Sequence, residues 1–505
     1  MTRLSKNIIY NLLGQGLVII LSFVAVKYIF THLGKDALGI IFFTQTLTLV
    51  LRSVLDLGIG STTVREVAAH RQNEPEYIDA LLRTDSAFYW VTYLLQALAI
   101  YFSAPLLMNR WVILTDLDAH TAIYALRVLG ISAILAFPRT FYISILRGVE
   151  RMEFNNGIDV ATIAFQQLGT IVILRMHGGL IQVSYWLAGC FGLGVFAYLV
   201  ICARFFTWSA LLPGFSAEVF RRNWRLTCHM ASISLLSVIQ TQTDKAIASK
   251  LLPLGIFGYY SIAYGMASRG TSIVNSIAEA SLPSLSSAFG TGGQDNLMSR
   301  YRKLQDLLSY GSAPVFAGIL FAALPVFSYV LNSDAATQLL LPTTFLCVGF
   351  LLNASLNAPY MFTIAVGRPD ITARSNFYAL FVVSPITCLL VFFWGIKGAA
   401  FSWIVYHIFA YAYQGRRTCQ ECLHISTWRW LAYPLQTLVL ASFTYGAAWT
   451  AVSTFSSPTV VPLTISYVAA TVVFLIAAYY LIGEGLRQTF NNYLRKAPLV
   501  VTEAR

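Results

Sequence analysis

A chain of 505 residues with 57% hydrophobic and only 11% charged side chains, at a mean hydropathy of +0.65, lies far below the roughly 25% charged content of soluble domains, which excludes a water-soluble globular protein. The net charge of +12 and a pI near 9.3 would suit a nucleic-acid partner in a soluble chain. Here the basic residues collect on one side of an apolar chain, so nucleic acid is excluded as well.

Apolar stretches near the ~20 residues needed to cross a bilayer fall at 8–30, 37–57, 84–107, 122–146, 158–174 and 180–203. A second set follows at 230–249, 255–282, 307–331, 339–366, 376–393, 398–413, 431–451 and 461–481. The first stretch follows Arg3 and Lys6 and lacks a small-x-small cleavage site, so it is expected to stay as a helix. The longest polar connection, about 204–225, is too short for a catalytic domain, which places any chemistry inside the helices.

Lys and Arg in alternate connections number 23 on one side, from Arg3 and Lys6 through Arg221 and Arg222 to Arg495 and Lys496. The other side holds five: Lys35, Arg110, Arg175, Lys250 and Lys397. Cytoplasmic loops carry the positive excess, so both termini are expected in the cytoplasm and the helix count is even, about 14. The expected fold is all-α and polytopic.

The chain also echoes itself at one constant spacing: Gly39 with Gly258, Gly148 with Gly367, and Gly179 with Gly398. Each pair occupies an equivalent place in two six-helix sets of like orientation, which predicts two pseudo-symmetric bundles with a site between them. The expected lobes are 1–205 and 206–414, followed by an appended helix pair and tail at 415–505.

Ionisable residues inside a membrane are costly and mark pathways or partners. The cations so placed are Lys27, Arg52, Arg127, Arg139, Lys245 and Arg269; the acids are Asp56, Asp244 and Glu279. The cationic balance predicts an anionic substrate. Arg52 and Arg269 fall near mid-bilayer, Lys27 and Lys245 fall near the outer ends of their helices, and each pair is separated by nearly the glycine spacing.

A guanidinium fork suits phosphate, and an ammonium serves as a point charge. Against binding roles stand snorkelling for Lys27 and Lys245, an i,i+4 pair of Arg52 with Asp56, and kink-linked or interfacial roles for Arg127 and Arg139. Asp244, next to Lys245 in sequence, is expected to point elsewhere on its helix. Asp244, Glu279 and Asp56 are structural partners or the sites of a coupling proton or sodium ion.

Of seven cysteines, Cys190, Cys202, Cys347 and Cys388 fall in apolar helices as small hydrophobes. Cys419 and Cys422 form a C-x-x-C near His424 without a second ligand pair, so no metal is expected. No Walker, H-E-x-x-H or G-x-S-x-G motif occurs, which points to a transporter driven by a gradient, without a cofactor, rather than an enzyme.

Four segments carry a resemblance: THLGKDALGIIFFTQTLTLVLRSVLDLGIGSTTVREVA from Thr31, IQTQTDKAIASKLLPLGIFGYYSIAYGMASRGTSIVNSIAEASLPSLSSAF from Ile239, ILRGVERMEFNNGID and GIKGAAFSWIV. They resemble polysaccharide exporters of the Wzx type, in the superfamily of multidrug antiporters and the lipid II flippase. The resemblance implies an inner-membrane flippase for an undecaprenyl-diphosphate-linked oligosaccharide repeat unit, working by alternating access through a cationic cavity and feeding O-antigen, capsule or exopolysaccharide synthesis. It implies cavity cations at Lys27, Arg52 and Arg269, with Lys in place of an expected Arg at the first, and a polysaccharide polymerase and chain-length regulator as partners. A drug antiporter would need an acidic cavity, a membrane glycosyltransferase would need larger outer loops, and a non-transporting scaffold of a polysaccharide assembly complex is the third alternative.

Overall fold

The computed structural model describes residues 3–55, 59–222, 241–291, 294–456 and 458–496, which form helices joined by short turns without a named strand. Apolar runs of this length become helices because, in hydrocarbon, each backbone N–H and C=O must be bonded within its own segment. In order the main helices are α1 (Arg3–Leu55), α2 (Ile59–His70), α3 (Pro75–Leu106), α4 (Ala119–Ala133), α5 (Ala136–Gly148), α6 (Met152–Arg175) and α7 (Leu180–Cys202). They continue as α8 (Leu254–Thr291), α9 (Gln294–Val330), α10 (Ser333–Ala365), α11 (Asp370–Trp394), α12 (Ile396–Ala410), α13 (Thr427–Phe455), α14 (Val460–Leu481) and α15 (Glu484–Lys496).

Ten segments among the described residues are long and apolar enough to cross a membrane. The first, Gly16–Arg52, holds two of the expected spans, one on each side of Gly34, whose φ of 83° breaks the helical run at a conformation open to glycine. Of the expected span 230–249, only residues from 241 on are described. α8 and α12 stand outside the ten; α8 carries Arg269, Asn275 and Glu279 among its apolar residues, and α12 passes into a π turn at Tyr411–Gly415.

The chain divides into two compact units, Met1–Tyr259 and Tyr260–Arg505, so the division lies beyond residue 205, where the lobe boundary is expected. The stretch after α7 packs back onto the first helices: Ser86 donates to the Leu211 carbonyl at 2.9 Å and the Gly214 amide donates to the Arg83 carbonyl at 3.0 Å. At the core of this unit Tyr89, Phe137, Phe141, Tyr142 and Tyr198 from α3, α5 and α7 are fully buried. Leu94, Leu98 and Phe102 stand exposed at helical spacing along α3, as a lipid-facing stripe does.

In the second unit α9 packs on α10, α12 lies between α10 and α11, and α13 and α14 pair with each other against α9. A buried polar chain ties α13 down. The Trp430 indole donates to the Tyr301 hydroxyl at 2.9 Å, that hydroxyl donates to Gln305 at 2.9 Å, and Gln305 donates to Ser309 and Ser355, each at 2.9 Å. Interhelical bonds of this kind hold helices together where lipid removes the hydrophobic drive. The appended pair is thereby part of the second unit.

Candidate functional site

On α1, Lys27 precedes the break at Gly34 and Arg52 follows it, and both are half-buried. Gln45 and Leu49, seven and three residues before Arg52, are exposed, whereas Thr48, four before it, is buried, so Arg52 lies at the edge of the open face of that helix. Asp56, the expected partner of Arg52, lies outside the described residues.

Three other cations meet partners within their unit. Arg127 on α4 donates from Nε to the Tyr101 carbonyl at 3.1 Å and stacks 4.2 Å above that tyrosine ring. Arg139 on α5 forms an ion pair with Asp159 on α6 and lies 5.3 Å from the Tyr198 ring of α7. Tyr198 in turn donates to Asp159 at 2.5 Å, so three helices close on one carboxylate.

Lys245 overturns the expectation that it and Asp244 point apart. Both are buried; the ammonium lies 3.4 Å from Asp244 and donates to the Thr241 carbonyl at 3.2 Å. Adjacent residues differ by about 100° around a helix, but a four-carbon stem folds back far enough to bridge that angle, and a pair is cheaper to bury than an isolated charge. The ammonium is buried, not snorkelled.

In the second unit, α8 carries Arg269 and Glu279 on one face, and both are exposed. Ser272, Ser276 and Ser287 share that face and are exposed too, whereas Ala263, Ala267, Gly270, Val274 and Ala278 on the opposite face are buried. At Gly270 a side chain would meet the Phe316 ring of α9 at 2.6 Å, so the small residues let α8 seat closely on its neighbour. Among the described residues Arg269 has no ion-pair partner.

A serine-lined face with an open arginine is incompatible with lipid tails, since charges at membrane depth face water or protein. Ile273, one turn after Arg269, is exposed on the same face, so the stripe is mixed, with the guanidinium, Glu279 and the serines as its polar part. The stripe unites Arg269 with Glu279, three turns further along.

Sequence reasoning missed three acids. Asp159 and Asp85 both fall inside predicted spans, 158–174 and 84–107, so the rule that singled out Arg139 also reaches them. Asp85 is buried and accepts the Thr63 hydroxyl at 2.7 Å. Asp36, buried just after Gly34, accepts the amides of Thr115, Asp116 and Leu117 at 2.9, 2.7 and 3.3 Å, and Lys35 pairs with Asp116 at 3.2 Å.

That carboxylate ties the turn after α3 to the break in α1. Asp36→Ala removes an acceptor shared by three amides, each such bond contributing about 0.5–1.5 kcal/mol net, so thermal unfolding of the variant is expected a few degrees below wild type, with protease cutting near 112–118 as the second readout.

Cys419 is buried among the turns before α13, and burial pushes its thiol up to about 12. A raised thiol stays protonated, whereas ligation and alkylation need the thiolate. Among the described residues no three His, Cys, Asp or Glu side chains gather as a metal set. Buried and held in its protonated form, Cys419 is expected to be found unmodified by mass spectrometry after iodoacetamide treatment of the folded protein at pH 8.

With the fold and the placed charges in view, comparison settles the family. The family described as polysaccharide biosynthesis protein matches residues 4–289, more than half of the chain. The chain belongs to that family.

A candidate O-antigen transporter of Shigella flexneri is 22% identical over 411 residues, covering 79% of this chain and 94% of the relative. The lipid II flippase MurJ in an inward closed conformation is similar with a TM-score of 0.67 at 14% identity, covering 94% of this chain and 99% of that one. An inward-facing multidrug resistance transporter of the MATE family and MOP superfamily gives a TM-score of 0.66 at 13% identity, covering 80% and 95%. These structures share the fold. This member of the polysaccharide biosynthesis family is a multi-pass membrane transporter and not an enzyme.

Proposed function

We propose that the chain is a flippase that moves an undecaprenyl-diphosphate-linked oligosaccharide repeat unit from the cytoplasmic to the outer face of the inner membrane by alternating access. Arg52 and Arg269 hold the diphosphate, Lys27 adds a point charge, and Lys245, Arg139 and Arg127 support the helices that frame the path. The observation that carries this reading is the polar part of the exposed stripe of α8, with an arginine that has no acidic partner among the described residues on a helix of membrane-spanning length. Such a surface offers a fork of donors to a phosphate in a wet cavity.

The excess of Lys and Arg in one set of loops supports both termini in the cytoplasm. A proton or sodium gradient supplies the drive, with Glu279 and Asp244 as the described acids able to respond to it, and delivery to a polymerase and chain-length regulator follows from the substrate. The experiment is deletion of the gene followed by analysis of lipid-linked repeat units on each membrane face. Cytoplasmic accumulation with loss of surface polysaccharide is the expected result; intact polysaccharide with heightened dye sensitivity would make the chain a drug antiporter instead.

A further inference from the structure

α13 uses its one buried stripe, Trp430, Pro434, Thr437, Tyr445 and Val452, and leaves a neighbouring face uncovered. Along that face run two cavities of about 1070 and 380 Å³, joined at Leu438, which lines both. The larger one lies against α12 and the turns that follow it; the smaller lies between α13 and the α9–α10 pair. About half of the residues that line them are Leu, Ile, Phe or Ala, joined by Val348, Pro434 and the rings of Tyr411, Tyr445 and Trp449, with Thr344, Ser442 and Thr450 as the hydroxyl-bearing aliphatic residues of the smaller one and Leu435 exposed in the larger one.

The larger cavity changes character at one end, where Arg416, Gln420, Ser426 and Thr427 form its rim. None of the residues lining it is acidic. Arg417 turns to Glu421 at 3.6 Å and Arg368 to Asp370 and Glu421 at 2.9 and 2.7 Å, whereas Arg416 is exposed and, among the described residues, has no acidic partner. At the same rim α13 begins with Ser426, whose hydroxyl caps no amide, so the first-turn N–H groups of a 29-residue helix face the rim with their positive dipole end. Trp428, almost wholly exposed, sits where interfacial tryptophans anchor at headgroup level.

A long apolar slot that ends in an exposed guanidinium and an uncapped helix N-terminus is complementary to an amphiphile with chains at one end and a phosphate at the other. We propose that this groove is a binding site for an anionic glycerophospholipid of the leaflet that holds Arg416. Its acyl chains fill the slot along α13 and its phosphate meets Arg416 and the first turn of that helix. The site is lined by α9, α10, α12, α13 and the turns between the last two, none of which bears an intramembrane cation assigned to the substrate, so the inference stands apart from the flippase reading.

The test uses the full chain, delipidated in mild detergent and titrated with phosphatidylglycerol or with phosphatidylcholine of the same chains under native mass spectrometry. Wild type is expected to retain one phosphatidylglycerol at least ~10-fold more tightly than phosphatidylcholine. Arg416→Glu abolishes the difference, Arg416→Lys keeps most of it, and Leu435→Trp, which fills the slot, weakens both lipids. Gel-filtration profiles and lipid-free unfolding temperatures matching wild type certify the variants, and Arg416→Gln replaces any that fails.

Equal retention of the two lipids by wild type, or an undiminished preference in the Arg416 variants, overturns the proposal. So does competition by soluble glycerophosphate as effective as the lipid, which would assign the site to a free phosphate. Displacement by a polyprenyl diphosphate at lower concentration than phosphatidylglycerol would assign it to the transported lipid.

Discussion

Arg269→Ala is expected to weaken binding of a lipid-linked diphosphate oligosaccharide by about 10- to 100-fold, because a hydrogen bond to a charged group contributes roughly 1.5–3 kcal/mol and each ~1.4 kcal/mol is a decade in affinity. The guanidinium stands on the open face of α8, and no acid among the described residues competes with phosphate for it. Arg269→Lys keeps the charge and loses the fork, so it should recover part of the affinity. Arg127→Ala provides the contrast, since that guanidinium already lies over the Tyr101 ring at 4.2 Å, and less than about a threefold change is expected. Binding is read by titrating purified protein in detergent, and export by surface polysaccharide in a deletion strain. Unchanged affinity in Arg269→Ala, with the fold intact, removes the diphosphate from α8.

The helices were legible because one quantity, apolar length, decides them. A run of about twenty apolar residues has few alternatives once every amide must be satisfied inside lipid, and the spans around α3, α6, α7, α9 and α10 follow directly. The break between the first two spans, 8–30 and 37–57, was legible too, and it falls at Gly34, whose positive φ interrupts an otherwise continuous helical run.

Pairing was the illegible part, because it depends on distance in space. Arg139 meets Asp159 from the next helix, and Asp36 meets amides that lie beyond two intervening helices in the chain. Lys245 and Asp244 show the converse: neighbours in sequence come together through a flexible stem that a helical wheel ignores. The depth of a charge can be counted from a helix end, while its facing and its partner wait for the neighbouring helices.

Gly39→Ala is expected to abolish most export and to lower the unfolding temperature by several degrees. A Cβ there would collide with the Leu254 carbonyl oxygen and come 2.7 Å from its carbon, and both atoms belong to backbone. That backbone has little room to retreat, because the Leu254 amide is bonded to the Ile113 carbonyl at 2.9 Å. One turn before Gly39, Asp36 holds the amides of 115–117, so any retreat of α1 from the start of α8 strains that cap as well.

Overpacking costs about 1–3 kcal/mol where side chains can yield, and here the obstacle is main chain. Gly258→Ala is the graded control: its Cβ would meet Gly39 Cα at 3.0 Å, a contact that a shift of a few tenths of an ångström relieves. The two glycines are partners in the internal echo of the sequence and touch in the fold, at a crossing where small residues let two backbones meet. If Gly39→Ala and Gly258→Ala cost the same in surface polysaccharide and in thermal unfolding, the asymmetry of this crossing is refuted and the close approach sets neither.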